Sequence, residues 1–182
     1  MTRQRALRIE RGQMAGSGAH LRRILDLPGK RLQRGALPLD EALSIALQIA
    51  EALEAAHAKS IVHRDLKPSN VMYSPEGRIK LLDFGLARAY LGEADSADPM
   101  MSPTITAAMT QPGVILGTAA YMSPEQARGK PVDRQSDIWA FGAVVFEMVT
   151  GRRAFTGETV TDTLAAVLQA DPPWPALPRN LP

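Results

Sequence analysis

His63-Arg64-Asp65-Leu66-Lys67-Pro68-Ser69-Asn70 is the stretch that decides how this chain reads, together with Asp83-Phe84-Gly85 thirteen residues after Asn70. Short strand-like runs flank the octapeptide, Ile61-Val62 before it and Val71-Met72-Tyr73 after it. It therefore reads as a loop that holds side chains outward from a rigid base. A third such run, Ile79-Lys80-Leu81-Leu82, carries Asp83-Phe84-Gly85 on its end. Taken alone, Asp-Phe-Gly is a common turn, and a His beside a strand is usually packing. The two motifs in this order point to a site.

Working outward, Leu37-Pro38-Leu39-Asp40 opens the first periodic segment. Asp40 is the expected N-cap, and Glu41 favours the positive end of a helix. Leu39, Leu43, Ala46, Ala50, Leu53 and His57 follow at alternating spacings of four and three, which is one helical face. Ile45, Leu47 and Ile49 widen the apolar arc and predict a largely buried helix. Ser74-Pro75-Glu76-Gly77 reads as a hairpin turn between the second and third strand-like runs. Residues 92–113 carry acidic, Ser/Thr, Met and Pro residues without periodicity, which predicts a loop. A second buried helix is expected over Ser136 to Thr150, apolar almost all round and stopped by Gly151. A third, amphipathic helix is expected from about Thr159 to Ala170, before Asp171-Pro172-Pro173-Trp174-Pro175 ends regular structure.

The two motifs resemble the catalytic loop and the metal-binding triplet of protein kinases. The resemblance runs continuously from about residue 37 to 175. It implies an α+β kinase fold, with residues 37–182 forming a mostly α-helical C-terminal lobe with short β-hairpin strands. By that resemblance Asp65 would accept the proton of a substrate hydroxyl, and Lys67 would meet the transferred phosphoryl as a point charge. Asn70 and Asp83 would hold Mg²⁺ through the hard oxygen ligands that ion prefers. Met72 would line the ATP site with Lys67 and Asp83. Lys67 followed by Pro68 resembles the serine/threonine branch, so the implied partners are ATP and a protein carrying Ser or Thr. Arg64 looks like the arginine that clamps a phosphorylated activation loop. His63 is assigned to packing, and Phe84 and Gly85 complete the triplet.

Later residues agree. Gly117-Thr118-Ala119-Ala120-Tyr121-Met122-Ser123-Pro124-Glu125-Gln126 resembles the segment that receives a peptide and closes the activation loop, in the style of bacterial serine/threonine kinases. Ser123 stands where the family usually has Ala. Glu125 pairs in the family with an Arg from later helices, and Arg179 is the only Arg after Arg153. Asp137, in Asp137-Ile138-Trp139-Ala140-Phe141-Gly142, would hydrogen-bond the catalytic-loop backbone. The activation segment would run from Asp83 to Glu125, with Ser102, Thr104, Thr106 and Thr110 as candidate phosphosites.

Bulk properties narrow the class without naming it. With 45% hydrophobic and 22% charged residues the composition is that of an ordinary globular domain. Cysteine is absent, which excludes disulfides and thiolate chemistry. No apolar run approaches the roughly 20 residues that span a bilayer, and the basic N-terminus is not followed by a signal-like apolar stretch. A cytoplasmic location is expected. Residues 1–36 hold nine Lys/Arg against Glu10 and Asp26, a surplus of +7, whereas the remainder carries −5. No aromatic residue lies in 1–36, so base stacking has no support there and no nucleic-acid partner is expected.

Residues 1–36 read as a basic, poorly structured remnant. The family's smaller lobe is a five-stranded sheet with one helix and needs roughly 70 residues or more. Gly16-Ser17-Gly18 lacks the third glycine of a kinase phosphate loop, and Lys30 sits in a turn context. The first reading is a serine/threonine kinase piece that acts with a lobe supplied from elsewhere. The second is an inactive kinase fragment serving as a protein-interaction module.

Overall fold

Ala42, Ile45, Ala46, Ile49 and Leu53 form the buried face of the helix around which the rest is assembled. The computed structural model describes residues 22–23, 35–74, 77–84, 114–179 and 181. Candidate positions Gly85, Ser102, Thr104, Thr106 and Thr110 lie outside them, as does most of the basic N-terminal stretch. Helix α1 spans Leu39–His57. It starts two residues earlier than expected, because the Pro38 carbonyl already accepts from Ala42 N at 2.9 Å. Pro38 is therefore the N-cap. Asp40 falls with Glu41 inside the first turn, where a carboxylate still meets the positive end of the helix.

The buried face also differs from the expected one. Leu43 and Leu47 stand 41% and 61% exposed, and Ala50 is exposed too. Two apolar rows run along α1 with similar spacing, and local periodicity does not choose between them. Packing chooses. The row with Ile45 and Ile49 meets helix α4 (Arg134–Thr150), which offers Ala140, Ala143, Val144 and Met148. Leu66 and Val71 complete that core from the loop and the sheet.

Three short strands form one antiparallel sheet in the order β1 (Arg22–Arg23), β2 (Val71–Tyr73), β3 (Ile79–Leu81). Met72 faces Arg23 on one side and Lys80 on the other. The hairpin expected at Ser74–Gly77 is present, with Gly77 N donating to Ser74 O at 3.0 Å and Gly77 at φ +76°. Gln48 on α1 holds this hairpin, taking Ile79 N on its Oε1 at 3.0 Å and donating to Gly77 O at 3.3 Å. Ile61-Val62, expected as strand-like, joins no strand among the described residues. It leads into a loop whose backbone bonds go to side chains instead. In the N-terminal stretch read as poorly structured, Arg22–Arg23 form a strand on β2.

Two short helices absent from the sequence reading, α2 (Val114–Ala119) and α3 (Pro124–Ala127), precede α4. Asp133 caps α4 by accepting from Gln135 N at 2.8 Å. The helix is not buried all round as expected, since Ile138 stands 57% exposed. Helix α5 spans Val160–Gln169 and opens on a reciprocal Thr159/Asp162 capping box.

Gly151 closes α4 in the left-handed region at φ +69°. A β-carbon there would lie 2.6 Å from Ala36 N and 2.7 Å from Gly35 C, both backbone atoms, so the chain itself would have to shift. The neighbouring Leu37 N donates to Met148 O at 2.8 Å, so the same contact fixes the entry to α1. Gly151→Ala should therefore lower unfolding stability by about 2 kcal/mol or more, from left-handed strain plus the clash. Urea unfolding of the two proteins checks this, and a loss under about 0.5 kcal/mol would contradict the close approach.

Candidate active site

Asp137 lies in the first turn of α4, almost fully buried, and such a carboxylate is tolerated only where donors surround it. Its Oδ2 accepts from His63 N at 2.8 Å and its Oδ1 from Arg64 N at 2.7 Å. His57, from the end of α1, brings Nε2 to 2.7 Å of Oδ2. Two consecutive loop amides and a helix-borne imidazole thus converge on one side chain. The loop they shape is under strain, because Arg64 has φ +69°, and Asp83, just beyond β3, has φ +61° as well. Non-glycine residues rarely occupy this region, and such outliers concentrate at functional sites.

Within this frame the expected residues come together. Lys67 Nζ lies 2.8 Å from Asp65 Oδ2 and donates to Thr118 Oγ1 at 3.1 Å. Asn70 Nδ2 donates to Asp65 O at 2.8 Å and to Asp65 Oδ2 at 3.1 Å. Asn70 is buried on a 3-10 turn, Pro68–Asn70, that begins directly after Lys67. Leu82 N donates to Asn70 O at 2.8 Å, which brings the exposed Asp83 alongside the loop. His63 is fully buried, accepts from Asp65 N at 3.3 Å on Nδ1, and packs its ring 4.5 Å from that of Phe84. Burial holds its pKa below the ordinary value despite the nearby Asp137 and Asp65 charges, which suits a packing role. Met72 is half-buried in the middle strand.

A second cluster braces the chain beyond Thr118. Tyr121 is buried and its hydroxyl donates to Glu147 Oε2, with Arg153 over its ring at 6.0 Å from the centroid. Burial, reinforced by the Glu147 charge, pushes the phenol far up. In place of the arginine partner that the resemblance gives Glu125, its carboxylate accepts from the Ser136 hydroxyl, which lies 3.1 Å from Ser123 Oγ. Ser123 is thus a bonded link and not a mere substitute for Ala. Four residues of this site went unread in the sequence: His57, Ser136, Glu147 and Gln126. Only Gln126 carried a local signal, the Ser-x-x-Gln spacing of a capping box.

The donor set suits a hard cation. Asn70 and Asp83 offer oxygen, and among the described residues no group of three His, Cys, Asp or Glu gathers into a cage. Mg²⁺ is commonly held that way, by one or two protein oxygens with water and phosphate completing the shell. No helix among the described residues is long and apolar enough to cross a membrane.

Burial raises the Glu125 pKa, but the Ser136 hydroxyl and further hydrogen bonds outweigh it and hold the carboxyl below its usual range. A depressed carboxyl stabilises the fold above its unfolded pKa of about 4.3, and that contribution fades as pH falls through the folded value. The stability gap between wild type and Glu125→Gln should therefore be widest near neutrality and close on acidification, read by urea unfolding across pH 3–7. A gap constant over that range would contradict the assignment.

The protein kinase domain family matches residues 14–175 of the chain. Among curated relatives, the "Probable serine/threonine-protein kinase PknB" of Corynebacterium glutamicum is 46% identical over 136 residues, covering 75% of this chain and 19% of that protein. The "Serine/threonine-protein kinase PknL" of Mycobacterium tuberculosis is 38% identical over 156 residues, covering 86% of this chain and 34% of the relative. The "Serine/threonine-protein kinase PknA" of the same species is 38% identical over 176 residues, covering 93% and 37%. The chain thus spans 19% to 37% of the length of these relatives. With its loop, triplet and central helix matched along nearly its whole length, this chain belongs to the protein kinase domain family.

Proposed function

We propose that the chain carries the machinery for transferring the γ-phosphoryl group of ATP to Ser or Thr hydroxyls of a protein substrate. The observation that carries this reading is the arrangement of Asp65. Lys67 Nζ and Asn70 Nδ2 both converge on its Oδ2, at 2.8 and 3.1 Å. The carboxylate is thereby fixed in rotation, and Oδ1 is left to accept the substrate proton.

The substrate hydroxyl oxygen attacks the γ-phosphorus, the bond from that phosphorus to the β-bridging oxygen breaks, and ADP departs. The hydroxyl proton passes to Asp65. Positioning and charge neutralisation do most of the work in such a transfer. Lys67 supplies a cation beside the transferred group, and Thr118, near the C-terminal end of helix α2, holds it at 3.1 Å. Asn70 and Asp83 would hold Mg²⁺, which neutralises phosphate charge when bound. The named serine/threonine kinases among the relatives, and the Lys67-Pro68 pair, support Ser/Thr as acceptor. A reaction that consumes ATP fits the cytoplasm, where that nucleotide is supplied.

Calorimetric titration with Mg–ATP, followed by phosphotransfer to a Ser/Thr-bearing protein, tests the proposal. Asp83→Ala should abolish Mg²⁺-dependent nucleotide binding. Asp65→Asn should leave binding in place and reduce turnover by roughly a hundredfold or more, the usual scale for a positioned base. Failure of the wild-type chain to bind Mg–ATP, or full turnover by Asp65→Asn, would overturn it.

A further inference from the structure

We propose that Gln126 is a positioning residue for the catalytic loop, tying helix α3 to the Arg64 carbonyl through a single carboxamide. Gln126 Nε2 donates to Arg64 O at 2.7 Å, across 62 positions of sequence. Its Oε1 accepts from Ser123 N at 3.0 Å, while Ser123 Oγ accepts from Gln126 N at 3.3 Å. Both ends of one side chain are therefore committed, one to the cap of its own helix and one to a distant loop.

The loop needs such a bond. Arg64 occupies a left-handed conformation, at φ +69°, that arginine does not favour. Its N–H is held by Asp137 Oδ1 at 2.7 Å. An ionised carboxylate only accepts, so Asp137 has nothing to offer the carbonyl on the other side of the same residue. That carbonyl belongs to the peptide joining Arg64 to Asp65, so its direction fixes the direction of the Asp65 N–H. The Asp65 N–H reaches His63 Nδ1 at 3.3 Å, a long bond that does little to hold the peptide by itself. Gln126 fixes the peptide from the carbonyl side, and through it the point from which the Asp65 carboxylate projects.

Chemistry separates this role from helix capping. A capping box is satisfied by Glu as well as by Gln, since either supplies the acceptor for the cap amide. Only Gln also donates to Arg64 O. Gln126→Glu therefore keeps the cap and removes the loop bond, and it sets an acceptor against the carbonyl. The rate part of the test rests on the phosphotransfer reading; the backbone part stands apart from it.

The experiment compares wild type with Gln126→Glu by amide hydrogen exchange, by urea unfolding and by phosphotransfer kinetics. Exchange at the Asp65 amide should quicken by about tenfold or more, on the scale of one lost hydrogen bond, while the α3 amides keep their protection and the unfolding midpoint falls by no more than that one bond accounts for. Turnover should fall by roughly tenfold or more with the KM for ATP nearly unchanged. Acidification should narrow the deficit, because a protonated Glu can donate to Arg64 O as Gln does. Unchanged exchange at Asp65 would overturn the proposal, as would loss of α3 protection in step with it. If the wild type transfers no phosphate, the phosphotransfer reading fails alone, and the exchange comparison still decides the role of Gln126.

Discussion

The rest of the structure depends on one buried carboxylate. Asp137 is held by α4, yet its three donors come from the end of α1 and from two consecutive amides of the loop. A loop whose backbone bends through a left-handed arginine cannot satisfy its own amides by a ladder, and buried amides without partners are costly. The fold resolves this by aiming a single acceptor at both. Removing one partner of such a buried, charge-assisted set costs far more than an average hydrogen bond, because the remaining donors stay buried and unpaired. The core of α1 against α4 fixes where Asp137 and His57 sit, so the apolar packing of Ile45, Ile49, Val144 and Met148 sets the geometry of the loop at one remove.

A division of labour follows in which exposure and role run together. The groups proposed to do chemistry stay accessible: the Asp65 side chain is 37% exposed, and Asp83 is exposed. The groups that hold backbone in place are buried, as Asn70, Asp137, Ser123 and Ser136 show. Asn70 bridges both classes, since its amide nitrogen orients Asp65 while its main-chain carbonyl receives Leu82 N. The hairpin of β2 and β3, clamped by Gln48, then delivers Asp83 to the same place.

Much of this was legible in the sequence, for identifiable reasons. Ser136 to Thr150 reads as a helix because its pattern is long and its stop is a glycine, and α4 ends at that glycine in the left-handed region. The helix expected from about Thr159 is legible from its amphipathic pattern, and α5 opens there on the Thr159/Asp162 cap. The apolar arc read on α1 holds the buried Ile45, Ala46, Ile49 and Leu53, but it also takes in Leu43 and Leu47, which repeat as regularly, and only α4 distinguishes the two rows. Asp40 reads as a cap because its side chain suits one, whereas the Pro38 carbonyl already accepts the first bond of the helix. The residues proposed to carry chemistry stand in motifs that are local in sequence. His57, Ser136 and Glu147 do not, because each acts through a partner far along the chain and no local spacing records that.

Gln126 shows where the two kinds of information meet. Its spacing from Ser123 is a local signal, and the local signal is true: the capping box is there. The same spacing conceals a longer-range demand, since any acceptor at that position would cap the helix, whereas the Arg64 carbonyl requires a donor. A side chain with two polar ends can serve a local rule and a distant one at once, and sequence reasoning sees only the first. The loop is thereby held on both faces of one strained residue, from α4 through a carboxylate and from α3 through a carboxamide. The segment carrying Thr118 and Glu125 and the segment carrying Asp65 are joined by that carboxamide as well as by Lys67, so neither is free to shift without straining the other.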